Sequence, residues 1–198
     1  MEKGLMISVS GPSGVGKGTI IEEIRKLLPD CKHSISVTTR PPRGEEKDGI
    51  EYYFRSVEEF EKMIDEGEIL EYDKYVGNYY GTPATPLLEK SNNGSDVLLD
   101  ITIAGSLALK AKFPQAVTIF ILPPSFEQLE ERLKGRGTET EDLVRQRLAK
   151  AREEVLSADK FDYVVVNDEL KNAVDNIMSI MKAEKCRYVR HEGIEKTL

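Results

Sequence analysis

Short, nearly continuous apolar runs alternate along this chain with longer stretches whose apolar positions recur at helical spacing. The runs are Leu5 to Val9, Val97 to Leu99, Val117 to Leu122 and Tyr163 to Val166. The helical stretches that follow are Gly16 to Leu28, Thr102 to Lys112, Ser125 to Lys134 and Glu169 to Glu184. Strands that lack polar alternation are buried on both faces. Their alternation with helices predicts an α/β fold, with a parallel sheet covered by helices on both sides.

Two regions break the alternation. Between 34 and 88, the strand-like pieces "YYF" and "EILEY" flank the helical "SVEEFEKMIDEG", which predicts a small inserted α+β lobe. Between 133 and 159 the chain is charge-rich and helical, with glycines in "KGRGTETED" to hinge it, which predicts a mobile lid. The core is then 1–33, 89–132 and 160–198, a single domain with two appendages. No internal repeat is present, and the basic tail from Lys185 is expected to fray.

Charge changes the picture next. The 198 residues carry a net charge of −7, which argues against broad binding to nucleic acid or to an anionic membrane. An anion site must therefore be a local concentration of Lys and Arg. Cys31 and Cys186 are too few and too far apart for a disulfide framework or a zinc site and read as reduced thiols. "LMISVS" is too short for a signal peptide or a span, and a cytoplasmic protein is expected.

Such a concentration begins directly after the first predicted strand. "GPSGVGKGT" places Gly11-x-x-x-x-Gly16-Lys17 between a strand and a helix, the context a phosphate-binding P-loop requires. Ser13, Gly14, Val15, Gly16 and Lys17 can turn successive N–H groups toward phosphate oxygens, and the helix N-terminus adds positive charge. Gly18 stands where such loops usually carry a hydroxyl ligand for magnesium. Thr19 follows and could bond the α-phosphate. Magnesium would then be held mainly by phosphates and water.

A second candidate lies in "TTRPPRGEE". Two prolines between Arg40 and Arg43 forbid a helix and favour an extended path that sends both guanidinium groups toward one edge. Arginine forks match phosphate oxygens in geometry and charge.

"GPSGVGKGT", "SVTTRPPRGEE", "DGIEYYF", "ILEY", "GNYYGT" and "RLKGRGTETED" occur in this order, and the chain from Met6 to Asp168 resembles guanylate kinase, a P-loop nucleoside monophosphate kinase family. The resemblance implies transfer of the γ-phosphoryl group of MgATP to GMP, with the inserted lobe holding GMP. It implies that Arg40, Arg43, Tyr52 and Tyr80 grip the GMP phosphate, and that Glu71 reads the guanine N–H groups beside Ser36 and Thr82. It places Lys17, Arg40, Arg132, Arg136 and Arg147 around the moving phosphate. Asp100 falls at a strand end, where ligands of parallel sheets gather, and is a candidate to orient the acceptor, Lys17 or a magnesium-bound water. Asn167 is a candidate for adenine or its ribose, with a cap on the following helix as the alternative. Where most relatives read "DIDxQG" this chain reads "DITIAG", so roles of the acidic residue and glutamine do not transfer to Thr102 and Ala104.

His33 and His191 lack a catalytic setting and read as surface residues. Arg145 and Arg152 read as solvated, paired with neighbouring glutamates. The implied partners are ATP and GMP, with no nucleic acid or membrane, and a monomer or weak dimer. Two other readings are an adenylate kinase-like enzyme and a non-catalytic phosphopeptide-binding module of guanylate kinase shape.

Overall fold

The computed structural model describes residues 3–75, 77–135 and 141–197. In chain order, β1 (Met6–Ser10) and α1 (Lys17–Leu27) are followed by β2 (Lys32–Ser34), β3 (Val37–Thr38), β4 (Tyr53–Phe54) and α2 (Val57–Asp65). Next come β5 (Ile69–Tyr75), β6 (Asn78–Pro83), α3 (Ala84–Asn92), β7 (Val97–Asp100) and α4 (Ile103–Lys112). The chain closes with β8 (Val117–Leu122), α5 (Phe126–Lys134), α6 (Glu141–Glu154), β9 (Tyr163–Val166) and α7 (Leu170–Lys185).

The large sheet has the order β2-β7-β1-β8-β9 and every pairing in it is parallel. Alternate residues of its strands serve opposite layers, as the period of a strand demands. Ile7, Val9, Leu98, Ile119 and Ile121 pack with Ile20 and Ile24 of α1 and Val174 and Ile177 of α7. Met6, Val97 and Leu99 turn the other way, toward Leu87 of α3 and Leu109 of α4. This is the expected parallel sheet between two helical layers.

Strand β2 was not legible as a strand. "KHS" is polar and short, and it pairs only with β7 at the sheet edge, where one side needs no apolar partner. Helix α3 was hidden by Pro86, which sits in its first turn, where a missing N–H costs nothing. The predicted helix of the inserted region is α2. A capping box starts it: Ser56 accepts from the Glu59 N–H, and the Glu59 side chain accepts from the Ser56 N–H.

That region forms its own sheet, ordered β4-β3-β6-β5, with a small core of Val37, Phe60 and Ile69. The charge-rich α6 packs on α5 through Leu129, Leu133, Val144 and Ala151. Arg145 pairs with Glu141 and Asp142 as expected, and the exposed Arg152, beside Glu127, also lies over the Phe126 ring at 4.3 Å. The tail does not fray as expected. Two 3-10 turns follow α7, and Arg190 donates to the Lys3 carbonyl at 3.3 Å.

His33 is a surface residue only in part. It is half-buried on β2, and burial together with Arg25 and Lys90 pushes its imidazole down to about 4. The native state therefore keeps His33 neutral where the unfolded chain, at about 6.5, takes up a proton. Stability falls as pH drops through that window, by up to about 1.4 kcal/mol per pH unit, and the effect levels off below it. In urea unfolding, the native protein should lose about 2 kcal/mol more than His33→Gln between about pH 6.5 and 4.5. Equal losses would contradict the burial argument.

Candidate functional site

The C-terminal ends of β2 and β7 open into one cleft, where parallel sheets gather their ligands. It has a volume of about 320 Å³. Gly18 at the head of α1 and Asp100 at the end of β7 line it, together with Ser36, Glu46 and Tyr52 of the inserted region. Residues from the large sheet and from the inserted region thus face one space.

On the α1 side, the loop Gly11 to Gly16 curls between strand and helix. Gly16 has φ +101°, a conformation that disfavours any side chain, and a Cβ there would strike the Asn167 amide at 2.6 Å. Asn167 is buried, and its Nδ2 donates to the Val15 carbonyl at 2.8 Å. It does not cap α7, whose N-cap position is Glu169. Arg132 donates to the same Val15 carbonyl at 3.3 Å and to the Asn167 carbonyl at 2.9 Å. The carbonyls on the back of the loop are therefore tied down. Lys17 Nζ folds onto the Gly11 and Pro12 carbonyls at 2.8 and 3.4 Å. Gly18 and Thr19 are exposed, and a Cβ at Gly18 would meet nothing within 4 Å. Ser13 and Gly14 complete the loop, and Gly14 faces the Leu133 side chain of α5.

On the other side the two arginines differ. Arg40 is 6% exposed, and its guanidinium forms a two-pronged pair with Glu46 at 2.9 and 3.0 Å. It also donates to the Pro41 carbonyl at 2.7 Å and lies over the Tyr52 and Phe54 rings. Arg43 is exposed, and its backbone N–H donates to the same Glu46 at 2.8 Å. Glu46 therefore organises both arginines. Sequence reading missed it because a separation of six residues from Arg40 matches no regular period. Tyr80 stands edge-on to Tyr52 at 6.0 Å. Burial and the Asp100 carboxylate push the Tyr52 hydroxyl up to about 12, so it remains a hydrogen-bond donor at neutral pH.

Deeper in the inserted region, Glu71 is 6% exposed and accepts from the Thr82 hydroxyl at 2.5 Å. Burial raises its carboxyl, with the Thr82 bond opposing. A Cβ at Gly105, in the first turn of α4, would overlap the Glu71 Oε2, so the carboxylate lies flat against that turn. Ser36, between β2 and β3, is also buried. Asp100 is likewise raised by burial and opposed by Lys17.

The structure thus gathers Ser36, Tyr52, Asp100 and Gly18 at one cleft, with Arg40 against Tyr52 and Lys17 beside Asp100. Arg132 is placed behind the loop, and half-buried Arg147 lies on α6 near Tyr75. Arg136 lies outside the described residues. Among the described residues no cluster of His, Cys, Asp and Glu could hold a metal ion, and no helix is long and apolar enough to cross a membrane.

This geometry can be set beside known proteins. The family profile described as guanylate kinase matches residues 3–184. The chain is 50% identical over 187 residues to a guanylate kinase of Desulfitobacterium hafniense, covering 94% of each chain. It is 48% identical over 195 residues to that of Halalkalibacterium halodurans, covering 98% of this chain and 95% of the relative. The crystal structure of guanylate kinase from Anaplasma phagocytophilum superimposes with a TM-score of 0.84 at 33% identity, over 100% of this chain and 94% of that one. Profile, near full-length relatives and solved fold agree over almost every residue: the chain belongs to the guanylate kinase family and is an enzyme.

Proposed function

We propose that this enzyme transfers the γ-phosphoryl group of MgATP to GMP, giving ADP and GDP, with the donor on the Gly11–Thr19 loop and the acceptor in the inserted lobe. The observation that carries the reading is the shared cleft, in which the head of α1 faces Ser36, Glu46 and Tyr52. The lobe of residues 34–88 and the lid of residues 133–159 are the parts proposed to move against the core.

The backbone N–H groups of Ser13 to Gly18, with Lys17 and Thr19, hold the donor phosphates. Lys17 leaves the Gly11 carbonyl to do so. The buried brace of Asn167 and Arg132 on Val15 keeps the loop's carbonyls turned away from the incoming charge. Asn167 also stands at the end of β9 as the proposed edge of the adenosine site. Arg40, Arg43, Tyr52 and Tyr80 take the GMP phosphate. Glu71 accepts the guanine N1–H and N2–H, with Ser36 and Thr82 completing the base contacts and Asp100 orienting the acceptor. An adenine would set its N1 lone pair against a buried carboxylate and is rejected on that account.

The acceptor is a phosphate oxygen already ionised near neutral pH, so positioning and charge relief suffice and no general base is needed. Lys17, Arg136 and Arg147 supply that relief as the lid closes and excludes water, and Arg132 contributes through the loop it braces. Magnesium enters with the triphosphate, neutralising part of its charge. With Gly18 lacking a side chain, phosphate oxygens and water are its proposed ligands. We place the chain in the cytoplasm, as a monomer or weak dimer.

A coupled assay of ADP release with MgATP against GMP, AMP, CMP and UMP tests the substrate assignment. GMP should exceed AMP in kcat/KM by about 10⁴-fold. Faster turnover of AMP would overturn the reading. Glu71→Gln, which turns an N–H donor toward guanine, should lower kcat/KM for GMP by about 100-fold while KM for ATP moves little. An equal effect on both substrates would show that Glu71 supports the fold and does not read the base.

A further inference from the structure

One contact joins the lid to the inserted lobe, and it lies outside every role assigned so far. Lys150 on α6 holds its ammonium 3.5 Å from the centroid of the Tyr75 ring, at the tip of β5. That is well inside the range of a cation–π attraction. The same ammonium is 3.8 Å from the Glu154 carboxylate one turn further along α6, whose side chain is 17% exposed.

Both partners also face the phosphate loop. The Ser13 side chain lies near the Tyr75 hydroxyl, and the Ser13 backbone lies near the Glu154 carboxylate. The other edge of Tyr75 meets Tyr80 in a T-shaped pair at 6.5 Å, and Tyr80 in turn meets Tyr52, over which Arg40 lies. Arg147 adds a second positive charge beside Tyr75. Tyr75 therefore touches the lid on one face and the proposed acceptor-phosphate tyrosine on an edge, with the donor loop close to its hydroxyl. Lid and lobe are distant in sequence, and each packs on its own core. A junction of this kind gives two mobile parts a shared closed state.

We propose that Tyr75 and Lys150 are positioning residues that latch the lid to the inserted lobe over Ser13, so that donor and acceptor nucleotides bind with positive coupling. The proposal rests on the ATP and GMP assignment above. Either nucleotide alone draws one part inward, and the latch brings the other part with it, so the second nucleotide meets a site already closed. By linkage the coupling is reciprocal.

Calorimetric titration of GMP, with and without a non-hydrolysable ATP analogue and magnesium, tests the latch. In the native protein the analogue should tighten GMP binding by about tenfold. Lys150→Met and Tyr75→Leu should each cut that factor to about twofold, while GMP affinity measured alone changes by less than about twofold. Tyr75→Phe keeps the ring beneath Lys150 and should retain more coupling than Tyr75→Leu. Lys150 is exposed, so Lys150→Met tests the idea without disturbing a core. Absence of coupling in the native protein, or more than half of it surviving in Lys150→Met or Tyr75→Leu, would overturn the proposal. Failure of GMP to bind the native protein at all would remove the substrate assignment beneath it as well.

Discussion

Charge repulsion is the constraint on which this architecture depends. In the proposed reaction two phosphate-bearing molecules share one cleft in a protein whose own net charge is −7. The positive groups that make this possible have to be few, local and already in place, because each flexible side chain ordered on binding costs entropy. Arg40 shows the solution. Three of its five N–H bonds are committed to Glu46 and Pro41, and rings of Tyr52 and Phe54 lie against its plane. What remains is aimed before a ligand arrives. The loop after β1 does the same with backbone, since its N–H groups have no rotamers to lose and Asn167 and Arg132 hold it from behind.

The reverse side of preorganisation is a set of acidic groups left in poor company. Burial raises both Glu71 and Asp100, opposed by the hydroxyl and backbone of Thr82 for the first and by the Lys17 ammonium for the second. A carboxylate in that state gains more from two incoming N–H donors than a solvated one would, because its solvation has already been lost. The free enzyme is less stable for it, which is the usual relation between a binding site and the fold that carries it. Gly105 belongs to this arrangement, since only a residue without a side chain lets α4 lie against Glu71.

Much of the framework could be read from the chain because it rests on local chemistry. Unbroken apolar runs gave four of the five strands of the large sheet, and the glycine spacing around Lys17 fixed the phosphate loop. Strand β2 escaped because an edge strand of three polar residues has no pattern to show. The site was legible only as a set of residue types. That Arg40 is buried while Arg43 is exposed, and that Glu46 joins them, depends on how the chain between β3 and β4 folds back, which no periodicity encodes. Asn167 was expected at the nucleotide or at a helix cap; it caps no helix, and its side chain holds the Val15 carbonyl, a contact across 152 positions of sequence. The half-burial of His33 was not legible for a similar reason: it comes from packing between distant elements, which a lone histidine in a polar run does not signal.

The central idea is that a prearranged arginine, held by its own carboxylate, receives the acceptor phosphate opposite the glycine loop. A crystal structure with GMP and a non-hydrolysable ATP analogue tests it most directly. The account predicts Arg40 still paired with Glu46 while its remaining N–H groups bond the GMP phosphate at about 2.8 Å, with the analogue's phosphates on the Ser13 to Gly18 N–H groups. A GMP phosphate bound elsewhere, with the Arg40 and Glu46 pair untouched by ligand, would contradict it.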